Sequence, residues 1–168
     1  SHCRVAGGDC QVESHLGSRE VTSLTSSEAK AVRLVALDID GVLSDGTVSM
    51  DEAGNQRRVF DIKDGLGVVR LVKSGRQVVV ISSSASQAGV SRLERLGINP
   101  VRTGVGNKLE LLTELVEAAG VDWSEVAYMG DDLPDLDCLA AVGVSTAPAD
   151  AVAAVKNAAR YVTTAKGG

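Results

Sequence analysis

A chain of 168 residues with 44% apolar content is long enough for one domain around a single buried core and too short for two. Its net charge of -5 and pI near 5.0 exclude a surface built to coat nucleic acid or anionic lipid, which leaves small soluble partners. No apolar stretch approaches the about 20 residues that cross a bilayer, and the polar opening SHCRVAGGDC lacks the apolar core of a signal peptide, so a cytoplasmic location is expected.

Residues 1–30 are rich in Ser, Gly, Glu and Thr without helical or alternating period, and read as a tag remnant, linker or loosely held arm ahead of a domain over 31–168. From Val32 short branched apolar runs alternate with amphipathic stretches, which predicts βα units around a mostly parallel sheet: an α/β, Rossmann-like three-layer fold. VRLVALD (32–38), QVVVIS (77–82) and VAYM (126–129) are the predicted buried strands. Between them Leu66, Val69 and Val72, then Val90 and Leu93, then Leu109, Leu112, Leu115 and Val116 each share one helical face, with Gly75, Gly97 and Gly120 where those helices stop. A strand near Val144, a helix over 150–157 and a last strand near Tyr161 complete the expected order. One segment departs from it: TVSM and QRRVF flank the turn DEAGN, which predicts a protruding β-hairpin at about 46–60.

The two histidines, His2 and His15, lie in the first segment, and Cys3, Cys10 and Cys138 form no CxxC pair. Carboxylates, lysine and hydroxyls must therefore carry the chemistry. Asp38, Asp40, Ser82, Lys108, Asp131 and Asp135 all fall at strand ends or at the start of the next helix, the edge where open α/β sheets bind ligands. Each alone reads more simply as a cap, a turn former or a solvated charge. Together, the DxDG at 38–41 and the GDDLPD at 130–135 crowd carboxylates that repel unless a cation intervenes. Oxygen ligands without histidine or thiolate favour Mg²⁺.

LVALDIDGVLSDG, FDIKDGLG, VVVIS, GNKLELL and AYMGDDLPDLDCL together resemble the haloacid dehalogenase superfamily over residues 32 to about 166. Within it the chain is similar to the capless phosphatases acting on 3-deoxy-octulosonate 8-phosphate and to the phosphatase module of acylneuraminate cytidylyltransferases. The resemblance implies a phosphorylated sugar acid as substrate, Asp38 as nucleophile and Asp40 as general acid and base. It further implies Ser82 and Lys108 on the phosphoryl group, and Mg²⁺ held by Asp38, the Asp40 carbonyl and Asp131, with Asp132 or Asp135 orienting that shell. Ser83 and the KDG residues Lys63, Asp64 and Gly65 are assigned to substrate binding by the same likeness.

No lid domain fits between Asp40 and Ser82 or between Ser82 and Lys108, and the resemblance implies a homotetramer assembled through the hairpins. The chain reads ISSS over 81–84 where those phosphatases resemble ISGR, so the arginine expected to meet the sugar-acid carboxylate is absent; Arg57, Arg58, Lys63 and Arg102 are the candidate replacements. The chain also ends at KGG, where such phosphatases continue into a tail. The competing expectation is a noncatalytic oligomerisation or regulatory module attached to an acylneuraminate cytidylyltransferase. A phosphoaspartate signalling receiver fits the DxDG and GDDxxD segments poorly.

Overall fold

The computed structural model describes residues 24–168. A six-stranded parallel sheet forms its centre, from β1 (Leu34–Leu37), β4 (Gln77–Ile81), β5 (Val101–Arg102), β6 (Val126–Met129), β7 (Val144–Ala147) and β8 (Tyr161–Val162). The strands run β5-β4-β1-β6-β7-β8, with Leu37 in register with Val80 on one side and Met129 on the other. The chain thus builds outward from β1 in one direction, then returns and builds in the other. That reversal opens a crevice beyond the carboxyl end of β1.

Alternation along the strands divides the core in two. Leu34 and Ala36, with Val79 and Ile81, face a layer containing α4 (Lys108–Ala119), α5 (Leu136–Ala141) and α6 (Ala153–Ala158). Val35 and Leu37, with Val78 and Val80, face α2 (Ile62–Lys73) and α3 (Val90–Arg95). The expected three-layer α/β/α architecture results, and among the described residues no cap domain interrupts it. Gly75, Gly97 and Gly120 follow the helices as expected, each at positive φ. Cys138 is a buried free thiol whose pKa burial pushes up to about 12, which leaves it inert.

The hairpin stands apart from the sheet as β2 (Ser49–Met50) and β3 (Gln56–Arg57), paired antiparallel and closed at its base by a Ser44–Phe60 bridge. Asp51 builds the turn, accepting from the backbone N–H groups of Ala53 and Asn55 at 3.0 and 2.8 Å.

Two elements differ from the sequence expectations. The boundary at residue 30 falls inside a helix, α1 (Ser26–Ala31), started by a Thr25–Glu28 capping box. Glu28 then accepts from the Tyr161 hydroxyl at 2.9 Å and pairs with Arg160, which fastens this helix to β8. The remainder of the expected arm, residues 1–23, lies outside the described residues. β5 is an element the sequence reading did not include, a two-residue strand that no alternation announces.

Candidate active site

Asp38 continues the even-numbered face of β1, the face that packs on α4, so its carboxylate is directed to the first residue of that helix. Lys108 stands there, its side chain 2% exposed, with Nζ 2.9 Å from Asp38 Oδ2 and 2.7 Å from Asp135 Oδ1. Buried Leu112 and Val116, one and two turns further on, hold the helix against the sheet and so fix the lysine. The other oxygen of Asp38 accepts the Ile39 N–H at 2.7 Å. Ser82 follows β4, its N–H bonded to the Arg102 carbonyl at 2.9 Å. Its Oγ accepts from Ser84 N at 3.2 Å, which leaves the hydroxyl hydrogen free to meet an anion.

On the other side of β1, Gly130 and Asp131 follow β6. Asp135 anchors this turn from a fully buried position: Oδ1 accepts from Lys108 and from the Tyr128 hydroxyl at 2.6 Å, and Oδ2 accepts the N–H groups of Asp131 and Asp132 at 3.0 and 3.2 Å. Asp132 caps the short turn over 133–135 through Leu133 N. Gly41, at φ +80°, lets the chain leave β1 without a side chain; a Cβ there would lie 2.0 Å from Asp131 Oδ2.

These residues enclose a cleft of about 250 Å³ lined by Asp38, Asp40, Ser82, Ser83, Lys108 and Asp131, among others. Burial is the main force on its carboxylates. It pushes Asp38 up to about 6 against the pull of Lys108, and, with the charges of Asp38, Asp135 and Asp132 added, pushes Asp131 up to about 7. Burial alone would lower the Lys108 ammonium, but Asp38 and Asp135 outweigh it and hold the pKa above its ordinary value.

The cluster fits a hard cation. Ligand atoms of Asp38, Asp131 and Asp135 lie within 4.8 Å of one another, and Asp131 Oδ1 is buried with no hydrogen-bond partner among the described residues. The four acceptor positions of Asp135 are already taken by Lys108, Tyr128 and two backbone N–H groups, so Asp135 supports the site while Asp38 and Asp131 keep capacity for a metal. The Asp40 side chain is not in this cluster.

Asp40 is held instead by Arg58 of the hairpin, whose Nε reaches Oδ1 and whose Nη2 lies 2.9 Å from Oδ2. Of the basic residues considered from sequence, Arg57 is exposed on β3, Arg102 contributes its carbonyl, and Arg58 alone reaches a cleft carboxylate through its side chain. Of the expected substrate contacts, Lys63, Asp64 and Gly65 do not line this cleft. Asp61 caps α2 by accepting Lys63 N at 2.6 Å, and this first turn borders other grooves, one shared with Leu37, Thr163 and Lys166. The Tyr128 hydroxyl was not anticipated, although its place in a predicted strand ending beside GDD was a usable signal.

A parallel sheet whose central strand ends in paired aspartates, answered by a serine, a lysine and an aspartate turn on adjoining βα junctions, defines a hydrolase built for phosphoryl transfer. The chain belongs to the haloacid dehalogenase-like hydrolases, whose family profile matches residues 101–167. It is 36% identical over 148 residues to the 3-deoxy-D-manno-octulosonate 8-phosphate phosphatase KdsC of Escherichia coli (strain B / BL21-DE3), covering 88% of this chain and 79% of that one. The Moraxella catarrhalis 3-deoxy-D-manno-octulosonate 8-phosphate phosphatase, solved with magnesium, phosphate and KDO, superposes with a TM-score of 0.81 at 34% identity, covering 84% of this chain and 82% of that one. The cobalt-bound Haemophilus influenzae enzyme superposes at 0.80 with 38% identity and the same coverage. These relatives place the chain among the family's phosphatases and set aside the noncatalytic module. No described helix is long and apolar enough to cross a membrane.

Proposed function

We propose that this chain is a Mg²⁺-dependent phosphomonoesterase acting on a phosphorylated sugar acid, of the octulosonate 8-phosphate or nonulosonate 9-phosphate type, through an aspartyl-phosphate on Asp38. The observation that carries this reading is the buried Asp38 carboxylate, aimed into the cleft and paired with Lys108 at 2.9 Å beside the unpartnered oxygen of Asp131. The Moraxella relative's magnesium, phosphate and KDO supply the cofactor and substrate class.

In this reading a carboxylate oxygen of Asp38 forms a bond to phosphorus as the bond from phosphorus to the sugar oxygen breaks. Asp40 gives its proton to the departing alkoxide. It then takes a proton from the water that attacks the acyl phosphate, which frees phosphate and restores Asp38. Ser82 donates to the phosphoryl oxygens, and Lys108 offsets their charge. Asp38, Asp131 and the Asp40 carbonyl would hold Mg²⁺, which screens the nucleophile's charge from the phosphate. The deciding experiment is a panel of phosphorylated eight-carbon and nine-carbon sugar acids set against neutral sugar phosphates, with and without chelator. Chelator-resistant turnover, or preference for the neutral esters, would overturn the reading.

Stability reports on the same site. Asp38 and Asp131, whose ordinary value is 3.8, keep their protons to about 6 and about 7 in the folded metal-free chain. Between those limits the folded chain binds more protons than the unfolded one, so its stability falls as pH rises. A divalent cation in place of the protons removes that loss. The rise in Tm produced by Mg²⁺ over chelator is therefore expected to be larger at about pH 8 than at about pH 5. Equal rises at both would show that the carboxylates do not hold the ion.

Assembly as a homotetramer through the hairpin completes the proposal. Val59 and Ile62 are 73% and 80% exposed, and Val48, Met50 and Leu66 add to this apolar surface around the hairpin and the start of α2. Second copies of the chain would cover it. Light scattering is expected to give the mass of four chains, and removal of residues 47–59 a folded monomer; a full-length monomer at assay concentration removes the tetramer.

A further inference from the structure

We infer that Arg58 is a positioning residue for the leaving-group step, so that the hairpin supplies active-site geometry as well as surface. The inference rests on the reading of Asp40 as the acid above, and goes beyond it by assigning what aims that acid. Three segments distant in sequence meet at one guanidinium. Arg58 takes Asp40 with Nε and Nη2 in a fork, and the same Nη2 donates to Ser84 Oγ at 2.8 Å, while Nη1 stands 3.4 Å from Gln56 Oε1 within the hairpin. The Arg58 side chain is 3% exposed, whereas that of Asp40, a lining residue of the cleft, keeps 30% of its surface open. Asp40 lines the cleft and Arg58 does not, so the group that holds the acid stands outside the space where a leaving oxygen would sit.

A planar fork fixes both the place and the rotation of a carboxylate, which a single ammonium contact cannot do. Among the described residues, the other hydrogen bond to the Asp40 carboxylate comes from Ser44 Oγ at 3.5 Å, too long to set its rotation. Ser84 finishes the clamp from the loop after β4, at the position where the sequence departs from an arginine. Serine there has a consequence: a short hydroxyl leaves room for the hairpin's guanidinium and binds it, where a second cation would repel it.

The test separates this role from a merely structural one by leaving-group dependence. An alkyl phosphate needs its departing oxygen protonated; an aryl phosphate with an acidic phenol does not. In Arg58→Gln the ratio of kcat on an alkyl sugar phosphate to kcat on 4-nitrophenyl phosphate is expected to fall about 10- to 100-fold. In Asp40→Asn it should fall at least as far, and in the double variant no further. Arg58→Lys keeps the charge without the fork and should show the same selective loss, reduced in size, which keeps the test sound if the glutamine variant folds poorly. Equal loss on both esters, no change in the ratio, or full additivity with Asp40→Asn would overturn the inference. A wild-type protein that hydrolyses neither ester would instead remove the parent reading, and this inference with it.

Discussion

Asparagine in place of Asp38 is expected to lower Mg²⁺-dependent hydrolysis of every phosphomonoester by about 10⁴-fold or more, with the fold intact. An amide has the shape of the carboxylate but no charge with which to attack phosphorus. The substitution also removes an ionised group that burial already disfavours, as its pKa near 6 records, so the metal-free variant should unfold at the same temperature as the parent or higher. Lys108 does not become an orphan, because Asp135 Oδ1 remains 2.7 Å from Nζ. Stability and activity are thus expected to move independently, which distinguishes a lost nucleophile from a damaged site. Acid quench during turnover should trap phosphate on the parent protein at Asp38 and none on the variant. Label on another residue, or a variant within about tenfold of the parent, would defeat the assignment.

How much of this site the sequence discloses depends on how local the cause of each feature is. The strands over 34–37 and 77–81 were legible because burial on both faces demands continuous branched apolar residues, and the chemistry-bearing residues stand close to strand ends or helix starts. Helix α1 was hidden because an ion pair and a tyrosine hydroxyl hold it in place of an apolar stripe, so it leaves no 3.6-residue period; its Thr25–Glu28 capping box was the available sign. β5, at two residues, is shorter than any periodicity. Arg58 could be named from sequence as a spare cation, but its attachment to Asp40 across 18 residues depends on how the hairpin folds back over the sheet edge. Lys63, Asp64 and Gly65 stand outside the cleft for a related reason. A likeness of sequence assigns a residue to a role without saying which way the first turn of α2 faces.

Removing the charge of Lys108 tests the electrostatic centre of the site, because one ammonium is shared by two buried carboxylates. Lys108→Met keeps most of the side-chain volume and leaves Asp38 and Asp135 without their cation, at 7% and 0% exposure. Breaking a buried pair in this way costs about 3–5 kcal/mol, since the stranded charge has lost both water and partner. Asp38, whose pKa burial already raises to about 6, can escape part of that cost by taking up a proton, so urea unfolding should show the deficit shrinking as pH falls toward 5 and growing toward 8. Activity should fall by about 10²–10³-fold even where the variant is fully folded, because nothing then offsets the charge gathering on the phosphoryl oxygens. Adding Asp135→Asn discharges the second buried group, and is expected to recover part of the stability while recovering none of the rate. A Lys108→Met protein within about 1 kcal/mol of the parent at pH 8 would mean that solvent reaches these carboxylates and that the lysine is not their counter-ion.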